Sequence, residues 1–363
     1  MLFDWNIHYN DILFAKEIKS IYPNNKIHFI GHIASQMNEW IKENCSFIDY
    51  VSKDRTEVYL YKLGNNIEDN RITINDFPTI NYKLFPYEVY QEKLGKRIAY
   101  LLSSEGCKNG CSYCPYKMLH NHNFAYRDID KVINDLKEIS FLGIELVQFR
   151  DPFFTYDTQR VMDICNRIIS EKIKIRWYCE TCLSSINSNL VKLMKDAGCE
   201  LIMFGIEAAK VDNLKKMGRK TSEYEEYKEK ISFIKEVGID TMAFYIIGMN
   251  NETWEDIQNT YYYSEKLNTT FVQYSVFIDY QETIAEMKSS NYKYYRPLSN
   301  SMSKSKCEIS QNDLVALSNL FEFTYYLKRF GLKKNFEMLK YNTIKFKQNR
   351  KKGELVLNEI ENI

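Results

Sequence analysis

Three cysteines carry the clearest chemical signal in this chain. Cys107, Cys111 and Cys114 fall within the eleven-residue run Glu105-Gly106-Cys107-Lys108-Asn109-Gly110-Cys111-Ser112-Tyr113-Cys114-Pro115. Thiolates at i, i+4 and i+7 can converge from one loop wrapped around a small object, and Gly110 allows the turn. Zinc normally takes four ligands. The spacing fixes no fourth, although His120 and His122 follow closely and could close such a site. A redox dithiol and a chance grouping are the other readings. The chain has nine cysteines, an odd number, so complete pairing into disulfides within one chain is impossible.

The elements that must position this loop are written in the hydrophobic pattern. Between Arg97 and Tyr280, strand-like runs stand at 98–103, 145–150, 174–179, 201–206, 241–247 and 272–278. Helical periodicity fills the gaps near 128–141, 156–171, 187–197, 223–236 and 253–266. This rhythm suits repeated βα units with right-handed crossovers, so it predicts an α/β fold whose parallel sheet curls toward a barrel. In such a barrel the chemistry sits on loops at the C-terminal ends of strands. The cysteine run follows the first strand, as that rule requires.

Upstream, Ile12, Ala15, Ile18 and Ile21 recur at helical spacing, and Pro23-Asn24-Asn25 breaks the helix. A strand over 27–31, a helix near 37–42 and a second strand over 47–51 complete about half of a nucleotide-binding-sized domain. Residues 63–95, with Pro78 and Pro86, read as an extended connector. Beyond Tyr280, residues 298–312 read as a loop. Ser310 with Asp313 then starts an apolar helix over 314–330, stopped by Gly331. The last twenty residues read as a solvated helix or frayed tail. The expected organisation is therefore 1–95, 96–285 and 286–363.

Composition removes several function classes. Of the 363 residues 45% are hydrophobic and 27% charged, which argues against a largely disordered chain. A net charge of +1 lacks the electrostatic footprint of a nucleic-acid binder. No apolar run approaches the roughly 18–20 residues of a membrane span. The opening MLFDWNIHYND does not have the layout of a signal peptide, so the expected compartment is the cytoplasm.

The Cys-x3-Cys-x2-Cys spacing, with an aromatic residue before the last cysteine, resembles the signature of radical S-adenosylmethionine enzymes. Further similar stretches follow in order: Phe149–Phe154, Trp177–Thr181, Leu193–Cys199, Phe204–Glu207 and Phe244–Gly248. The resemblance is closest to the subfamily with a cobalamin-binding domain. It implies a partial (βα)6 TIM-like barrel in which Cys107, Cys111 and Cys114 hold three irons of a [4Fe-4S] cluster. S-adenosylmethionine would chelate the open fourth iron. The resemblance places Tyr113, Asp151, Glu180, Glu207, Arg219, Ile247 and Gly248 around that cofactor. Glu207 would meet its ribose hydroxyls, Arg219 its carboxylate, and Ile247 with Gly248 its adenine face. Cys182 stands where close relatives usually carry arginine, and a thiol there could donate a hydrogen atom. The sequence also departs at Asp279-Tyr280-Gln281-Glu282-Thr283, where relatives commonly show a Pro-Gly-Thr turn, so no substrate contact is carried over there.

The first 95 residues look like the second half of a cobalamin-binding Rossmann domain. The Asp-x-His-x-x-Gly loop of many relatives is missing, and Asp4, His8 and His32 do not recreate it. The expectation is therefore reductive cleavage of S-adenosylmethionine and hydrogen abstraction from a peptide or natural-product substrate, without cobalamin. A flavodoxin or ferredoxin would supply the electron. The alternatives are a cobalamin-dependent methyltransferase and a non-catalytic zinc-binding module.

Overall fold

The computed structural model describes residues 9–53, 56–65, 72–95, 97–114, 116, 124–280 and 306–331. The chain opens with helix α1 (Tyr9–Ile21), strand β1 (His28–Phe29), helices α2 (His32–Gln36) and α3 (Asn38–Asn44), and strand β2 (Tyr50–Val51). β1 and β2 pair in parallel. Their small core gathers Ile12 and Ala15 of α1 with Phe29, Met37, Ile41 and Val51. The predicted helix–strand–helix–strand order is therefore present.

Residues 63–95 differ from the expected extended connector. Helix α4 (Thr56–Asn65) runs into the segment, two single-turn helices follow at Ile74–Asp76 and Tyr82–Leu84, and α5 (Tyr87–Leu94) closes it at the left-handed Gly95. Periodicity is hidden here because a few tyrosines anchor the segment. Tyr82 and Tyr87 are buried in the main core of the protein, which folds the chain down onto it.

Six parallel strands build the main sheet: β3 (Ile98–Leu101), β6 (Leu146–Phe149), β7 (Arg176–Thr181), β8 (Cys199–Glu207), β9 (Asp240–Ile247) and β10 (Phe271–Val276). Their spatial order follows the sequence order, β3-β6-β7-β8-β9-β10. Sequential neighbours with helical crossovers are what a (βα)6 barrel requires. A short antiparallel pair, β4 (Ser104–Glu105) and β5 (Ala125–Tyr126), lies between the first two strands in sequence. The crossover helices are α6 (Ile129–Phe141), α7 (Thr158–Ser170), α8 (Ser188–Asp196), α9 (Val211–Lys216) with α10 (Tyr224–Glu236), and α11 (Trp254–Leu267). In α6 the buried Val132, Ile133, Leu136 and Ile139 form one stripe. Side chains capping the first turns fix where several of these helices start: Asp157 accepts from the Arg160 N–H, Asn187 from the Leu190 N–H, and Thr253 forms a capping box with Asp256.

Strand parity divides the sheet into two faces. Val147 and Phe149, Trp177 and Cys179, Ile202 and Phe204, and Ala243 and Tyr245 all enter the core beneath the helices. The alternate set, which includes Glu180, Met203, Gly205 and Phe244, turns to the other face. A final helix, α12 (residues 311–331), closes over the β9–β10 side. Ser310 and Asp313 bond each other at its start as predicted, and Leu314 and Phe321 join the core. Gly248 has φ +82, and a Cβ there would lie 2.5 Å from Leu314 Cδ1. Among the described residues, no helix is long and apolar enough to cross a membrane.

The turn after β9 contains a buried carboxylate that makes stability depend on pH. Glu252 Oε2 accepts the Gly248 and Met249 N–H groups at 2.7 and 2.8 Å, and burial pushes its pKa up from 4.5 to about 7. The folded protein therefore holds a proton that the unfolded chain releases. This contribution is fully present below the unfolded value and is lost as pH rises through about 7. The unfolding free energy from urea melts should fall between about pH 5 and about pH 8, by up to about 3 kcal/mol. Glu252→Gln should flatten that slope; an unchanged slope would mean that Glu252 does not titrate in this window.

Candidate functional site

The cysteine loop leaves the sheet through a set of buried ties. Asp151, just past β6, is fully buried and accepts from the Ser103 N–H at 3.0 Å, the Ser103 hydroxyl at 2.8 Å and the Ser104 hydroxyl at 2.6 Å. Burial raises its carboxyl above the ordinary range, and these hydrogen bonds work in the opposite direction. The Arg150 N–H bonds the Leu101 carbonyl, and the Arg127 N–H bonds the Ser103 carbonyl. Arg160 Nη2 also donates to the Ser103 carbonyl, at 3.1 Å. Farther along, Lys108 Nζ lies 5.0 Å from the Phe124 ring centre and 4.9 Å from that of Tyr156. The Ser112 N–H reaches the Met217 carbonyl at 2.9 Å, so the loop is also held from the β8 side.

Within this frame Cys107, Cys111 and Cys114 line one cavity of about 160 Å³. Cys111 is buried and the other two are half-buried. Burial raises the thiol pKa of Cys107, and that of Cys114 to about 12. A metal entering this site must therefore displace protons. Among the described residues, no three Cys, His, Asp or Glu side chains are arranged to hold a single metal ion. Three thiols that share a cavity suit a multi-iron cluster, in which each sulfur takes a different iron. His120 and His122, the candidates for closing a zinc site, lie outside the described residues.

The opposite wall comes from the end of β8. Gly205 and Glu207 both line the cavity, and the β8–β9 register shifts between them. Glu207 adopts φ +74, a left-handed conformation seldom taken by a side-chain-bearing residue. Its carboxylate folds back over Gly205, where a Cβ would lie 2.0 Å from Glu207 Oε1 and 2.9 Å from Arg219 Nη2. Arg219 Nη2 donates to the Gly205 carbonyl at 2.6 Å and sits 3.5 Å from Glu207 Oε1. Burial raises the Glu207 pKa, with Arg219 and Tyr113 pulling it down. Gly218, at φ +72, lets the Arg219 segment approach the cysteine loop, since a Cβ there would meet the Gly110 carbonyl at 3.3 Å.

The structure brings together Cys107, Cys111, Cys114, Tyr113, Glu180, Cys182, Glu207 and Arg219 around this one cavity. Glu180 pairs with Arg150 Nη1 at 3.2 Å. Cys182 lies 3.7 Å from Asn109 Nδ2, and burial raises its thiol to about 11. Three expected residues lie elsewhere. Asp151 is spent on the two serines, Ile247 belongs to the main core, and Gly248 packs against Leu314. Phe244 and Gly205 line the cavity but were not singled out from the sequence. Strand alternation was the available signal, because it places Phe244 opposite in parity to Ile247. Of the predicted 279–283 turn, only Asp279 and Tyr280 lie within the described residues.

The description Radical SAM superfamily matches residues 101–262. A protein of Pyrococcus horikoshii named uncharacterized methyltransferase PH0819 is 26% identical over 211 residues, covering 58% of this chain and 46% of that protein. The bacteriochlorophyllide d C-12(1)-methyltransferase of Chlorobaculum tepidum is 24% identical, covering 52% of this chain and 42% of its own length. Among solved structures, the cobalamin-dependent radical enzyme OxsB, with aqua-cobalamin and S-adenosylmethionine bound, matches with a TM-score of 0.55 at 16% identity. That match covers 80% of this chain and 47% of OxsB, and it shows shared fold alone. The match thus spans less than half the length of each of these two curated relatives.

These relatives overturn the expectation of cobalamin-free hydrogen abstraction, because the reactions they are named for are methyl transfers. That expectation leaned on the half-sized first segment and on the missing Asp-x-His-x-x-Gly loop.

The ties described here have separable consequences. Asp151→Ala should cost about 3 kcal/mol in a urea melt of the apoprotein, because it strands buried donors. A loss below about 1 kcal/mol would show that the clamp is dispensable. Gly205→Ala should leave the melt within about 1 kcal/mol of the parent, because only side-chain ends must move. It should nevertheless weaken binding of S-adenosylmethionine to the reconstituted protein, as read by equilibrium dialysis; unaltered affinity would remove Glu207 and Arg219 from the binding surface.

Proposed function

Residues 101–262 form a radical SAM domain, and from that premise we propose that the protein is a cobalamin-dependent radical SAM methyltransferase acting on a small molecule. The single observation that carries this reading is the methyl-transfer activity named for several of its relatives, set beside three thiols enclosed in one cavity at the strand ends. The division into 1–95, 96–285 and 286–363 is part of the proposal, with the first segment packing against the barrel and contributing to the corrinoid site. Parallel strands β1 and β2, with Gly31 at φ +113 between β1 and α2, have the strand–glycine–helix form of a Rossmann crevice. The side chain of His32, and Asp4 and His8 altogether, lie outside what is described.

When bound, the cluster supplies an electron to S-adenosylmethionine and the corrinoid carries the methyl group. The chain supplies position. Cys107, Cys111 and Cys114 would hold three irons from one loop, and the amino acid moiety of S-adenosylmethionine would take the fourth. Glu207 would accept the ribose hydroxyls; in support, its carboxylate lines the cavity beside Arg219. With Arg219 engaged on Glu207 and the Gly205 carbonyl, its task is to hold Glu207. Tyr113 would border the adenine, and Glu180 the ammonium end. Cys182, protonated at neutral pH, faces the same space as a neutral thiol. Phe244 and Met203 supply the apolar floor that keeps water away.

Anaerobic reconstitution with iron and sulfide, followed by hydroxocobalamin, tests the proposal. The expected holoprotein is brown, retains corrinoid through gel filtration, and forms S-adenosylhomocysteine under reductant. Cys107→Ala, Cys111→Ala and Cys114→Ala should each abolish the cluster's visible absorption and iron retention. A colourless parent protein sinks the radical assignment. A brown protein that binds no corrinoid and forms no S-adenosylhomocysteine sinks the methyl-transfer assignment.

A further inference from the structure

A second and much larger cavity lies beside the cysteine site. It measures about 950 Å³ and is bounded on one side by the edge strand β3 and its exit, and on the other by Leu60, Tyr61 and side chains from Ile74 to Tyr90. Eight aromatic rings line it among the described residues, and exposed apolar side chains gather at its walls: Tyr100 is 52% exposed, Phe85 45%, Leu102 39% and Ile80 39%. Apolar side chains do not ordinarily converge on open space without something to cover them.

The walls of this chamber are fastened. Ile74 N–H bonds Glu105 Oε1 at 3.3 Å, and Asn75 exchanges two hydrogen bonds of 2.9 Å with Asp128. The chamber also communicates with the cysteine cavity. Tyr116 and Pro152 line both, and Arg150 in the chamber wall holds Glu180 in the cavity wall. The charged groups have distinct duties. Glu105 is engaged by Ile74, and Arg127 is paired with the buried Asp135. Arg150 holds Glu180 through one nitrogen at 3.2 Å, and its side chain is 47% exposed. A guanidinium has five N–H donors, so this contact leaves capacity for an anion.

We propose that this chamber binds the substrate, and that it selects a flat, mostly apolar ring system whose single anionic group meets Arg150. Aromatic walls favour a ring with faces to stack against, and the volume admits a molecule of several fused or linked rings. Arg150 stands where chamber and cavity meet, so the anion would fix which edge of the ring faces the thiols. The word substrate rests on the function proposed above; the binding site itself does not.

Fluorescence titration of the full chain with anilinonaphthalene sulfonate, a ring system with one anionic group, tests the site. Saturable binding to one site is expected. Tyr100→Asp and Ile80→Asp, on separate walls, should each weaken it by about tenfold or more. Phe141→Ser, at a residue 84% exposed on a helix outside the chamber, should leave it unchanged. Arg150→Gln should weaken the sulfonate by about three- to tenfold while leaving uncharged N-phenylnaphthylamine unaffected. Both wall variants binding like the parent, with unchanged circular dichroism, would overturn the proposal. So would equal effects of Arg150→Gln on the two probes. Displacement of the probe by hydroxocobalamin would assign the chamber to the methyl carrier and also overturn it. Failure of the radical assignment would show instead as missing cluster colour and absent S-adenosylmethionine cleavage, with probe binding intact.

Discussion

The buried contact of Asp151 with Ser103 and Ser104 is the constraint on which the site depends. A fully buried carboxylate is tolerated only when hydrogen bonds replace its lost hydration. Here they come from the two residues that begin the path to Cys107. The same tie joins the ends of β3 and β6, neighbouring strands in the sheet. It therefore converts the rigidity of the sheet into a defined starting point for the loop. Lys108 between two rings and Ser112 bonded to Met217 then guide the loop across the mouth of the barrel. Three thiols are thereby held around one cavity.

The barrel was readable from the sequence because its signals are local. Strands β3 and β6 to β10 and their helices fall within a few residues of the hydrophobic periodicity, and the cysteine loop follows the first of them. The segment after α4 was not readable, for a physical reason. Tyr82 and Tyr87 gain their place by packing on strands and helices distant in sequence, so no local period marks them. Asp151 illustrates the same limit. Its partners stand 47 and 48 residues earlier, and nothing near it in the chain distinguishes a clamp from a cofactor ligand.

The displacement of Ile247 from the site has a simpler origin, whereas Gly248 lies past the end of β9 at a left-handed turn against Leu314. In β9 the residues Ala243, Tyr245 and Ile247 share one parity and face the helices, while Phe244 has the other. Resemblance aligned a stretch of strand, but the pleat decides which residues of that stretch reach the cavity. The rule also accounts for Glu180, Met203 and Gly205, whose parity turns them inward.

Glu207 is the exception to simple alternation, and the exception is informative. Two inward residues two apart, Gly205 and Glu207, would ordinarily stand side by side along the strand. The register shift and the left-handed φ instead turn Glu207 back over Gly205, within reach of Arg219. A left-handed non-glycine residue costs about 1 kcal/mol or more. The surroundings offset that cost: Gly205 lacks the Cβ that would obstruct the carboxylate, and Arg219 bonds the Gly205 carbonyl beneath it. Strain held in place by a glycine below and an arginine beside it is what a binding surface requires when one carboxylate must stay oriented before its ligand arrives.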